Sequence, residues 1–324
     1  MLRVEDKTLS LPDGRTLAYA DNGNTSSTTV VLFLHGAFGV GDASRPPTFL
    51  LERSVHYVAP SLPGWGRSSP ASKLASYSIT LSADIATLLT HLHPQHDIAK
   101  LYICAHSFGT IHAQMLCEVS DEVFPFARQI AAMILLAPQS PPHRHADYAK
   151  CMSWQGYFMA GPPARYMPFN LLGRLVKVAI AGSFRSDKSA EAFVRNTVFD
   201  IFAEEEKEAF AQWKEDYGVD EGQYEKELGK TLSRSVLHSW QGFLDIPSIY
   251  HFGWGRTAAG QPCDFKAPVL IVSSTEDHLA PAAMAKWLSS YYPAAKLKII
   301  KGGHLASFFL MDEIWKEVFD WSSG

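Results

Sequence analysis

Ser107 lies in Ala105-His106-Ser107-Phe108-Gly109, between the apolar run Leu101-Tyr102-Ile103-Cys104 and a stretch of helix formers from Thr110 to Val119. A short apolar run of that kind reads as a buried parallel strand. Turning from strand to helix so quickly needs small residues two before and two after the serine, and Ala105 and Gly109 supply them. A serine at the tip of such a turn sits in strained backbone and projects its hydroxyl clear of the sheet edge. That hydroxyl is a weak nucleophile near neutral pH and needs a base within hydrogen-bond reach. The chemistry to look for is therefore acyl transfer, with a histidine and an acid supplied from elsewhere in the chain.

Three further apolar runs end in groups of the right kind. Val269-Leu270-Ile271-Val272 leads to Ser273-Ser274-Thr275-Glu276-Asp277-His278, Leu297 to Ile300 leads to Lys301-Gly302-Gly303-His304, and Val30-Val31-Leu32-Phe33-Leu34 leads to His35-Gly36-Ala37-Phe38-Gly39. Neutral His304 can take the serine proton and return it to a leaving group, while an acid on its other ring nitrogen fixes the tautomer. Asp277 is the preferred acid. Glu276 is its rival, and an aspartate there could also begin the next helix. The segment after the neighbouring strand, Ala137 to His145, holds no carboxylate, which favours Asp277. The oxyanion would be held by the backbone N–H of Phe108 and one from the Ala37–Phe38 segment, each such donor being worth ~3 kcal/mol in the barrier. His35, His106, His112 and His278 read as structural, with His35 holding its loop and His106 packing beside the serine turn.

These motifs, with Pro63-Gly64-Trp65-Gly66-Arg67-Ser68, resemble the α/β-hydrolase superfamily in its capped branch. The resemblance covers about residues 8 to 140 and 265 to 322, and its Ser, Asp, His chain order is the one that superfamily uses. Two positions depart from it: Ala105 stands where glycine is commoner, and Ser61 where many members carry aspartate. The resemblance implies a mostly parallel twisted sheet with helices on both faces and an inserted helical cap. It also implies a serine hydrolase of esterase, lactonase or thioesterase type that works through an acyl-enzyme. Members that open epoxides or haloalkanes use a carboxylate nucleophile, which Ser107 is not. Alternatives on the same scaffold are hydrolysis of a carbon–carbon bond beside a ketone, and a non-hydrolytic biosynthetic catalyst or ligand receptor.

The elements that must hold these groups follow from the apolar pattern. Lys7–Leu11 and Thr16–Ala20 flank the turn signal Pro12-Asp13-Gly14 and predict an opening hairpin. Parallel strands are expected near Thr29–Leu34, His56–Pro60, Lys100–Ala105, Ala131–Leu136, Pro268–Val272 and Lys296–Ile300. Ile85, Leu88, Leu89 and Leu92 repeat with helical spacing, and Ala282–Tyr292 and Ile314–Trp321 read likewise. Strand and helix in alternation predict a parallel sheet covered on both sides. The rhythm stops at Gln139-Ser140-Pro141-Pro142 and resumes after Gly260 to Lys266, so residues 1–139 and 265–324 are expected to form the core and 140–264 a helical lid. In that insert Phe199, Phe202, Phe210, Trp213 and Tyr217 fall roughly on one stripe. Trp154, Tyr157, Phe158, Trp240, Tyr250 and Trp254 are candidates to line an apolar substrate cavity, which would suit an uncharged, mid-sized substrate.

Composition narrows the partners. The 324-residue chain has a mild net charge of −4 and no Lys/Arg-rich block, so its charge gives no case for nucleic acid or acidic membranes. No apolar run approaches the ~18 residues of a membrane span. Cys104, Cys117, Cys151 and Cys263 lack paired spacing, so neither a disulfide framework nor a zinc site is expected and a reducing, cytoplasmic setting is the default. The Gly36–Gly41 segment lacks the ending of a phosphate loop. The expected partner is a small-molecule substrate, no metal or organic cofactor is called for, and the oligomeric state is open.

Overall fold

The computed structural model describes residues 3–95, 97–167, 170–254 and 263–322. Its centre is an eight-stranded sheet built from β1 (Lys7–Ser10), β2 (Thr16–Gly23), β3 (Thr29–Leu34), β4 (His56–Pro60), β5 (Lys100–His106), β6 (Ile130–Leu136), β7 (Val269–Ser274) and β8 (Ala295–Ile300). The spatial order is β1-β2-β4-β3-β5-β6-β7-β8. β1 and β2 form the opening hairpin, β2 meets β4 antiparallel, and every later pairing is parallel. The six parallel strands begin within one residue of their expected starts.

Alternation along the strands explains why most of these runs are apolar throughout. Successive side chains point to opposite faces, and helices cover both faces, so in the central strands both sets are largely apolar, whereas the edge strand β8 carries Lys296 and Lys298 and is only partly buried. Val30, Leu32, Leu101, Ile103, Met133 and Ile271 face one layer, formed by α2 (Tyr77–Leu92), α3 (Gly109–Glu118) and α11 (Ala282–Tyr291). Val31, Tyr102, Cys104, Ile134, Leu270 and Val272 face the other, formed by α1 (Thr48–Glu52) and α12 (Met311–Ser322). The helical repeat of Ile85, Leu88 and Leu89 is buried in the first layer, and Ile314, Trp315 and Val318 in the second.

Between β6 and β7 the chain is helical: α4 (Trp154–Ala160), α5 (Pro162–Tyr166), α6 (Leu171–Ile180), α7 (Asp187–Val194), α8 (Glu204–Asp216), α9 (Gln223–Leu237) and α10 (Gln241–His251). The aromatic stripe of this insert makes a separate core. Phe199, Phe202, Phe210 and Trp213 are buried with Tyr217 packed beside them, and Phe309, from the turn that precedes α12, plugs into the cluster. The insert also bonds to the main body at several points. Arg45 grips Glu227 of α9 with both ends of its guanidinium at 2.8–3.1 Å, and the Tyr217 hydroxyl donates to Asp312 of α12 at 2.7 Å. Among the described residues no helix is long and apolar enough to cross a membrane.

Candidate active site

The carboxyl ends of the parallel strands bring the expected groups to one place. Ser107 follows β5 directly, with a φ of 53°, a left-handed conformation that costs a non-glycine residue energy. It is held there from both sides: its N–H donates to the Leu136 carbonyl at 2.9 Å, and its carbonyl accepts from Thr110 N–H at 2.9 Å. Gly109 has to be glycine, since a Cβ there would lie 2.4 Å from the Leu34 carbonyl oxygen. The tightness of the turn, inferred from small flanking residues, thus has a steric cause in β3 next door.

From Ser107 a line of hydrogen bonds runs across two further loops. The Ser107 hydroxyl is 2.8 Å from Nε2 of His304, and Nδ1 of His304 is 2.8 Å from Oδ2 of Asp277. Asp277 is buried, while its rival Glu276 and its neighbour His278 are exposed. The other oxygen of Asp277 accepts from the N–H groups of Leu279 and Ala280, both at 2.9 Å. Burial pushes the Asp277 pKa up, but the His304 ring and the two amides outweigh it, and the carboxyl stays below its ordinary value.

The supporting histidines are neutral spacers. Burial lowers His106 to about 3, and its Nε2–H donates to the His304 carbonyl at 2.9 Å while its ring packs on Phe308. Burial also lowers His35 to about 4. Its Nδ1–H donates to the Gly36 carbonyl at 2.8 Å and its Nε2 accepts from Leu62 N–H at 2.9 Å. This pins the loop that carries Ala37 and Phe38. His112, lowered by burial to about 3, bridges the Phe108 carbonyl and the Tyr77 hydroxyl. Phe38 has a φ of 59°. Among the described residues none of the Ala37, Phe38 and Phe108 N–H groups has a backbone partner.

The six aromatic residues expected to line a cavity divide. Trp240 is half-buried, with its ring 6.3 Å from that of Phe38. Trp154, Tyr157 and Phe158 do not line an enclosed space: they are 72, 37 and 49 % exposed on α4. Tyr250 and Trp254 are buried, but one donates its hydroxyl to the Ser140 carbonyl and the other packs edge-on against His143 at the base of the insert. The aromatic wall at the site is instead Phe38 with Phe184 and Phe243 stacked at 5.2 Å and Trp65 at 5.6 Å.

Two carboxylates here carried no signal in the sequence. Glu206 of α8 is buried and accepts the Gly303 N–H at 2.9 Å, one residue before His304. Burial raises its pKa, opposed by that hydrogen bond. Glu5 accepts from the Ser61 hydroxyl at 2.6 Å and the Arg67 N–H at 2.9 Å. It places an acid in the Pro63–Ser68 loop where the resemblance led one to look for aspartate at position 61. Neither glutamate is close in sequence to the loop it holds, so no local motif marks it.

A doubly covered, mostly parallel sheet with a strand-to-helix serine turn and an inserted helical layer defines a known architecture. The profile of the alpha/beta hydrolase fold family matches residues 29–309, and the chain belongs to that family. No curated protein sequence matches it significantly. Similar solved structures include a proposed non-heme bromoperoxidase, BpoC, from Mycobacterium tuberculosis, at 18% identity over 94% of this chain and 96% of that one, with a TM-score of 0.61. A thermophilic esterase from Thermogutta terrifontis has 15% identity over 99% and 97% with a TM-score of 0.56. An epoxide hydrolase from Vigna radiata has 18% identity over 98% and 97% with a TM-score of 0.57. At such identities the likeness is one of fold.

Proposed function

We propose that this protein is a serine hydrolase that cleaves an ester, lactone or thioester of an uncharged, apolar, mid-sized substrate. The observation that carries the reading is the unbroken line Ser107–His304–Asp277, 2.8 Å at each step, with the serine held in left-handed backbone at the mouth of the sheet. In this reading His304 Nε2 takes the Ser107 proton as the hydroxyl oxygen attacks the acyl carbon. Asp277 accepts the bond from Nδ1–H and stabilises the imidazolium. The oxyanion is met by the N–H of Phe108 and by one from the Ala37–Phe38 segment. His304 then returns the proton to the departing oxygen or sulfur, and water repeats the sequence to release the acid.

Substrate class is argued from the surroundings. The Phe38, Phe184, Phe243 and Trp240 rings offer apolar contact beside the oxyanion loop. Asp277, Glu206 and Glu276 cluster around His304, and their negative field disfavours an anionic substrate. Residues 140–264 act as the cap over a core of 1–139 and 265–324. Free buried thiols at Cys104, Cys117 and Cys263 suit a reducing, cytoplasmic compartment.

The test is labelling with a fluorophosphonate, read by intact mass, beside turnover of short and medium p-nitrophenyl esters. One adduct per chain at Ser107 with ester turnover is expected. Folded protein that shows neither would overturn the reading and direct attention to a non-hydrolytic reaction or a receptor.

A further inference from the structure

The outer side of the insert has a composition unlike the rest of the chain. From Trp154 to Ser186 there are Arg165, Arg174, Lys177 and Arg185 and no aspartate or glutamate, within a chain of net charge −4. The same stretch holds eight of the fifteen large apolar residues that stand exposed among the described residues. Trp154, Phe158, Tyr166, Leu171, Leu175 and Val178 are 49 to 78 % exposed. On α6, Leu171, Leu175 and Val178 fall at i, i+4 and i+7, a single line along the helix, with Arg174 and Lys177 to one side. α4 and α5 pack on α10, and Asn170, at the start of α6, donates its side-chain amide to the Leu244 carbonyl of α10. The three helices therefore lie along α10 and turn these side chains away from it.

An exposed apolar patch of this extent on a water-facing protein marks a binding surface. Aromatic and aliphatic side chains beside arginine and lysine are the mixture that settles at the boundary between lipid headgroups and acyl chains. We propose that the outer face of α4, α5 and α6 docks on an anionic phospholipid surface, apolar side chains inserted and the exposed Arg165, Arg174 and nearby Arg185 against lipid phosphates, while Lys177 turns inward over the Trp240 ring. Charge selects this occupant over a second copy of the chain, because a symmetric pair would set two basic faces against each other. The proposal does not depend on the reaction assigned to Ser107. It does place the docked face beside the site, since α6 continues into the turn Ala181–Phe184, whose Phe184 stacks on Phe38.

Co-sedimentation of the full-length protein with lipid vesicles tests it. Vesicles of phosphatidylcholine mixed with phosphatidylserine should bind the protein, phosphatidylcholine alone should bind it far more weakly, and added salt should release it. Each cation near an anionic leaflet strengthens binding about fivefold. Arg165→Glu with Arg185→Glu should therefore weaken partitioning by ~25-fold or more, and Leu175→Asp with Val178→Asp by at least ~10-fold. All four residues are exposed, so thermal melts should not move; a melt that does move calls for the milder pair Arg165→Gln and Arg185→Gln, expected to weaken binding by ~25-fold. Wild-type protein that ignores the serine-containing vesicles, or variants that bind as well as wild type, would overturn the proposal. So would a concentration-dependent dimer that the same substitutions dissolve, which would give the face to a second copy.

Discussion

The two oxygens of Asp277 hold different partners, Oδ2 the His304 ring and Oδ1 the Leu279 and Ala280 amides. Asp277 does not cap the next helix, which begins at Ala282 after Pro281; it closes the turn over Leu279 and Ala280 while partnering the histidine. Asp277→Asn keeps the amide bonds but can present an NH2 to Nδ1 and impose the wrong tautomer. Ester turnover should fall by on the order of 10⁴, as such a swap does in a serine triad. The sign of the pH effect follows from the lowered pKa. The charged form's stabilisation is complete above the unfolded value of ~3.9 and is lost as pH falls through the lower folded value, so the wild-type advantage in melting temperature over Asp277→Asn should vanish in strong acid. Ser107→Ala should abolish labelling without unfolding the chain, whereas Ser107→Gly relieves the left-handed strain and should be the more stable of the two by ~1 kcal/mol in urea melts. These three side chains were legible because each ends an apolar run. Glu206 was not, since its one clue is a contact made by a helix about a hundred residues away, Gly303 lying at the far end of the chain.

Among the elements, the Pro63–Ser68 loop and the insert meet in a close seam. Gly242 of α10 donates its N–H to the Gly64 carbonyl at 3.0 Å, Gly66 N–H donates to Ser235 of α9 at 2.8 Å, and a Cβ on Gly242 would meet the Trp65 ring at 2.7 Å. Gly242→Ala should cost about 1–3 kcal/mol by overpacking and speed protease cleavage within residues 140–264, as measured by limited trypsinolysis. Glu206→Ala removes the acceptor for Gly303 N–H and should lower kcat by about tenfold with little change in KM, while Glu206→Gln, which keeps an acceptor, should restore most of it. Strand positions could be read off the sequence because a strand buried on both faces is apolar throughout. The facing of the insert's aromatic residues could not: Trp154 and Phe158 sit at helical spacing like any core pair, yet both stand exposed on α4.

Across the whole molecule burial lowers the pKa of His93, His143, His145 and His251, and around the site it does so for three more imidazoles. His35 at about 4 and His106 and His112 at about 3 remain unprotonated in the fold, but in the unfolded chain they take protons near pH 6.5. Unfolding therefore takes up protons below that pH. Stability should fall as pH drops from ~6.5 toward ~4, by on the order of 4 kcal/mol per pH unit if all three act together, and urea melts at pH 7 and pH 5 would measure it. The strand order carries a different consequence, one of time. β6 is finished at Leu136, yet its partner β7 begins only at Val269. A ribosome adding ~5–20 residues per second needs roughly 7 to 26 seconds to cross that interval. Throughout it the nascent chain displays an unpaired apolar edge. Both Asp277 and His304 emerge after that wait, so a newborn chain has its serine turn long before the base and acid proposed for it.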